Sequence, residues 1–96
     1  MEELLEKRIV FLTGEINSES SEKLIAKLLY LDSISNDEIS LYINSFGGDV
    51  VPGFIALYNI MQSIKSPIKT ICTGEALSCA VAVVASGKKG KRFAYE

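Results

Sequence analysis

The sequence predicts an α/β domain built on a mainly parallel sheet, and three observations carry that reading. Short apolar runs rich in β-branched and aromatic residues recur at 8–13, 39–43 and 68–73, each followed by glycine or polar residues. Stretches with apolar residues at helical spacing lie between them. Intervals of that length are crossovers rather than hairpins, so neighbouring strands run parallel. With 96 residues, 48% of them hydrophobic, the chain suits one small domain and not a disordered segment.

The first strand, Arg-Ile-Val-Phe-Leu-Thr at 8–13, is short, apolar and stopped by Gly14. Residues 17–21 supply polar capping groups, with Glu19 and Glu22 placed for a first helical turn. Leu24, Ile25, Leu28, Leu29 and Leu31 then predict a helix over about 20–31. After a polar connection, Ile39, Leu41 and Ile43 alternate with Ser40 and Tyr42 as a second strand. Residues 44–49, Asn-Ser-Phe-Gly-Gly-Asp, read as a turn by composition. Pro52 is tolerated only in a first turn, which starts the second helix near 49–51. That helix carries Phe54, Ile55, Leu57, Tyr58, Met61 and Ile64 and ends at Ser66-Pro67. A third strand spans 68–73 and closes at Gly74. The segment 78–86 is small and apolar all round, so it reads as a buried helix. A basic, glycine-rich turn at 87–91 reads as a solvated loop leading to a fourth strand at 92–95.

Composition narrows the function. No apolar run approaches the roughly 18 residues of a membrane span. A sequence pI near 5.1 gives no electrostatic case for nucleic acid. The acidic segment 1–7 carries no apolar signal core, so a secretory leader is not expected. The chain has two cysteines and no histidine, so one copy cannot build a four-ligand zinc site from Cys and His. Neither a metal nor a cofactor is expected. Cys72 and Cys79 read as small buried hydrophobes.

Two loops stand where strands meet helices, the edge at which α/β sheets form sites. In 45–49 the paired glycines let a ligand approach backbone N–H groups, so the loop reads either as a cradle for an oxyanion or phosphate or as a bare tight turn. In 74–79, Ser78 reads either as an exposed nucleophile on a strand-to-helix elbow or as an N-cap.

Taken in order, Tyr-Ile-Asn-Ser-Phe-Gly-Gly-Asp-Val at 42–50, Ala-Leu-Tyr-Asn-Ile-Met-Gln at 56–62, Ile-Cys-Thr-Gly-Glu-Ala-Leu-Ser at 71–78 and Gly-Lys-Arg-Phe-Ala at 90–94 resemble the proteolytic subunit of the Clp protease, a ring-forming serine peptidase. Arg8 to Gly14 and Leu28-Leu29-Tyr30-Leu31 extend the likeness to nearly the whole chain. The resemblance implies a crotonase-like fold of stacked βα units: one partial domain with 1–7 as N-terminal segment and 8–96 as core. It implies Ser78 as nucleophile, with the backbone N–H groups of Gly48 and Cys79 as oxyanion hole. Its implied partners are self or Clp-type subunits in a heptameric ring, a ring-shaped ATP-driven unfoldase and unfolded polypeptide substrates, in bacterial cytoplasm or plastid stroma. Phe46, Asp49 and Ala80 depart from the family's proline, serine and glycine. The family's catalytic histidine and aspartate would fall beyond Glu96, so the chain is expected to be truncated and inactive by itself. The alternatives are a non-catalytic ring or interaction subunit, or a crotonase-type acyl-CoA enzyme. Both longer helices carry more apolar residues than one core-facing stripe needs, so self-association is expected.

Overall fold

The computed structural model describes residues 2–48, 53–76 and 79–94. Its elements run α1 (Glu2–Glu6), β1 (Ile9–Ile16), α2 (Ser18–Ile34), β2 (Ile39–Gly48), α3 (Ile55–Ser63), β3 (Ile68–Ala76), α4 (Cys79–Ala85) and β4 (Arg92–Ala94). The described strands form one sheet in the order β1-β2-β3-β4, and each neighbouring pair is parallel. The expected α/β architecture is the one present.

Strand side chains alternate between two faces, which separates the core from the opposite surface. Val10, Leu12, Leu41, Ile43 and Ile68 join Leu24 and Leu28 of α2, Leu57 and Met61 of α3 and Val83 of α4 in a single apolar cluster. Burying each of these larger aliphatic side chains is worth about 1.5–3 kcal/mol. On the other face, register aligns Phe11, Tyr42, Ile71 and Phe93 across all four strands. Phe11 stacks on Tyr42 at 5.6 Å, and Lys69 Nζ sits 5.2 Å from the centre of the Phe93 ring.

One arginine ties the layers at the amino edge of the sheet. Arg8 links α1 to β1 in a left-handed conformation, φ 61°. Its guanidinium donates to Leu31 O, Ser35 O and Asp37 O, each at 2.9 Å, and to Ser66 Oγ at 3.0 Å. Ser66 is buried, and Asp32 Oδ1 accepts from its N–H at 2.8 Å and from its hydroxyl at 2.7 Å. The Ser66 hydroxyl and amide hold the Asp32 carboxyl below the usual aspartate value.

Several boundaries differ from those read in the sequence. Helix α1 has too few residues to show periodicity. Gly14 does not stop β1: a shift of register between Thr13 and Glu15 absorbs it, and the strand runs on to Ile16. β2 likewise continues through 44–48, because Glu15 and Ile16 pair with Gly47 and Gly48 and override the turn composition. β3 passes Gly74 to reach Ala76. Helix α4 is one-sided rather than buried all round: Ala80 and Val83 are buried, whereas Val81 is 53% exposed. Cys72 is half-buried.

Candidate active site

The described parts of the two loops singled out in the sequence lie side by side at the carboxyl edge of the sheet. β2 and β3 are neighbours, and Ser45 pairs with Ala76, the last residue of β3, three residues before β2 ends at Gly48. β3 ends at Ala76 and α4 opens at Cys79. Ser78 lies outside the described residues, as do Asp49 and the side chain of Cys79. Gly48, at the end of β2, is within them.

Side chains missed by the sequence reading hold each loop. Ser45 is 1% exposed, and its hydroxyl donates to Gly14 O on β1 while accepting from the Gly47 N–H at 3.1 Å. This ST-turn bond bends the chain at Gly47, which adopts φ 98°. Gly48 follows at φ 154° and runs so close to Ile16 that a Cβ would collide with the Ile16 carbonyl. Only glycine fits at both positions, for conformation at one and for contact at the other. The neighbouring residue serves the other loop. Asn44 Oδ1 accepts from Glu75 N–H at 3.0 Å, and a Cβ on Gly74 would meet that oxygen at 2.5 Å. Adjacent residues of one strand therefore fix both loops, Ser45 the glycine turn and Asn44 the segment leading to Ser78. An Asn-Ser pair just before paired glycines carried the signal, since both side chains bond local backbone.

Chemically, the glycine turn is a stretch of backbone that lets a reacting group approach without a side chain in the way. Phe46 points outward and is 53% exposed, giving the turn an apolar lip. Glu75 is exposed, and its backbone rather than its carboxylate is engaged with Asn44. Among the described residues no group of three or more Cys, Asp or Glu side chains is arranged to hold a metal ion.

Comparison with known proteins places this geometry in a wider group. A family profile described as Clp protease matches residues 1–96. The chain is 49% identical over 90 residues to the ATP-dependent Clp protease proteolytic subunit of Borreliella afzelii (strain PKo), a match covering 93% of this chain and 45% of that protein. The crystal structure of the ClpP protease catalytic domain from Plasmodium falciparum superimposes with a TM-score of 0.94 at 45% identity, covering 97% of this chain and 53% of that one. The chain thus spans about half the length of the relatives it matches.

Proposed function

The chain belongs to the Clp protease family, and from that premise we propose that it forms the nucleophile-bearing half of a serine-type proteolytic subunit. Ser78 is the nucleophile in this reading, and its Oγ attacks the carbonyl carbon of a peptide bond. The N–H groups of Gly48 and Cys79 then receive the oxyanion, and each such donor is worth about 3 kcal/mol of barrier. The observation that carries the reading is the pairing of the two loops at one sheet edge, each pinned by a side chain of the same strand.

The serine proton needs an acceptor, and the sequence contains no histidine. A serine without its base retains little of a triad's rate. We therefore assign the base and its orienting carboxylate to the later part of the family's subunits, and expect the 96-residue chain to be inactive by itself. A complete subunit of this kind would work in a heptameric ring, degrading unfolded polypeptides passed on by an ATP-driven unfoldase. The exposed apolar side chains of α2 support contact with neighbouring subunits. The alternative of a non-catalytic ring or interaction subunit is not favoured, because the matched relatives are proteolytic subunits. The acyl-CoA reading is not favoured for the same reason.

Two measurements test the proposal. The purified chain should hydrolyse small fluorogenic peptides no faster than its Ser78→Ala variant, and a clear Ser78-dependent rate at neutral pH would overturn the assignment of the base elsewhere. In a crystal structure, Ser78 Oγ and Gly48 N should face one cavity. A separation beyond about 8 Å would reject the site, because each must come within ~3 Å of a shared reacting atom.

A further inference from the structure

The opposite edge of the sheet carries a second concavity with different chemistry. A groove of about 620 Å³ runs between α3, α4 and the turn joining α4 to β4, within the roughly 300–1,000 Å³ typical of ligand clefts. Tyr58, Met61, Ala82 and Ala85 are among its apolar lining residues. Lys65, Lys88, Lys89 and Arg92 also line it, and among the described residues no Asp or Glu does.

The charge is segregated along the whole chain. Ten of the twelve acids lie within residues 1–49, leaving Glu75 and Glu96, whereas six of the ten cations lie at 65–92. Two of those six are engaged elsewhere: Lys91 pairs with Glu38 at 3.3 Å, and Lys69 faces Phe93. Lys65, Lys88 and Lys89 pair with no carboxylate among the described residues. The rim is also fixed in place. Lys88 N–H donates to Ile68 O at 2.8 Å, Arg92 Nε donates to Gly87 O at 2.8 Å, and Gln62 Nε2 donates to Ser86 O at 3.1 Å across the groove wall. The turn expected as a merely solvated loop is exposed but tied to β3 and β4.

From this we infer that the groove docks an acidic peptide segment anchored by an apolar side chain. An inorganic anion would leave the apolar floor unused, and an apolar ligand would leave the cations unpaired. The four cations stand on three separate stretches: the end of α3, the turn and β4. Carboxylates spaced along an extended peptide match that spread better than one anionic head does. The inference does not depend on the proposed active site, which lies at the other edge of the sheet.

Fluorescence anisotropy of the 96-residue chain with a labelled peptide of Glu flanking a central Leu-Phe pair tests it directly. Saturable binding is expected, weakened about tenfold or more by raised salt and by Lys88→Glu/Lys89→Glu. Lys65→Glu should weaken it as well. Lys23→Glu/Lys27→Glu on α2 should bind like the parent chain. The inference falls if the peptide fails to bind, if a Gln-for-Glu peptide binds equally well, or if the rim variants bind unchanged while retaining the parent circular dichroism. A dimer of the parent chain in sedimentation that Lys88→Glu/Lys89→Glu abolishes, together with displacement of the labelled peptide by an unlabelled Glu-Glu-Leu-Leu-Glu peptide matching residues 2–6, would make the occupant a second copy and would overturn the assignment to a separate peptide.

Discussion

Two small polar residues, Asn44 and Ser45, carry more of the site's geometry than any charged group around it. A serine hydroxyl at 1% exposure serves both the Gly14 carbonyl and the buried Gly47 N–H, and its removal takes a partner from each. Ser45→Ala should therefore cost about 1–3 kcal/mol in urea unfolding, with faster amide exchange at Gly47. An unchanged midpoint would show that the turn holds without the hydroxyl. Asp32 offers a pH-dependent counterpart. The Ser66 hydrogen bonds lower its folded pKa relative to the ordinary 3.8, so the stabilisation is complete above that value and disappears as pH falls through the lower folded one. The stability difference between the parent chain and Asp32→Asn should be constant at neutral pH and shrink on acidification below about pH 4. A gap independent of pH would mean that the carboxylate's charge contributes nothing.

The elements show where sequence signals end and tertiary contacts take over. Alternation of apolar strands with amphipathic helices was legible, because period and spacing are properties of the local chain. The start of α2 was legible in the same way: Asn17 Oδ1 accepts from Ser20 N–H at 2.9 Å, and Ser20 Oγ accepts from Asn17 N–H at 2.9 Å. Asn17→Ala should lower stability by about 1 kcal/mol, measured as a shifted urea midpoint with an unchanged slope. No shift would show that the reciprocal pair adds nothing. Strand ends were not legible, since Gly14, Gly47 and Gly48 spell a turn unless a neighbouring strand is there to pair with them. The end of α2 was hidden for a related reason. Its final turn passes Leu31 to Ile34, and the Leu31 carbonyl is taken by Arg8, 23 residues earlier. In the candidate site the glycines and Ser78 could be singled out from composition, but the anchoring roles of Asn44 and Ser45 depend on partners in Gly14 and Glu75 that only the folded sheet brings near.

On the scale of the molecule, apolar surface remains in excess. Leu29, Tyr30 and Ile34 on α2 are 47%, 53% and 62% exposed, and parallel sheets are ordinarily covered on both faces, whereas Phe11 and Phe93 stay open to solvent. Sedimentation at micromolar concentration should show species heavier than 10.5 kDa, and Leu29→Glu/Ile34→Glu should shift the distribution toward the monomer. A stable monomer with cooperative unfolding would refute the association. The Arg8 fan also bears on the order in which the molecule assembles. Its guanidinium reaches Ser66, 58 positions away, and the carbonyls of Leu31, Ser35 and Asp37. All of these must be in place before the full set of bonds can close, and distant contacts of this kind come after the loops between them have been closed. Arg8 is then a latch that shuts late. Shortening it should steepen escape from the native state while leaving the speed of arrival almost unchanged, so the fold would be lost sooner without being slower to find.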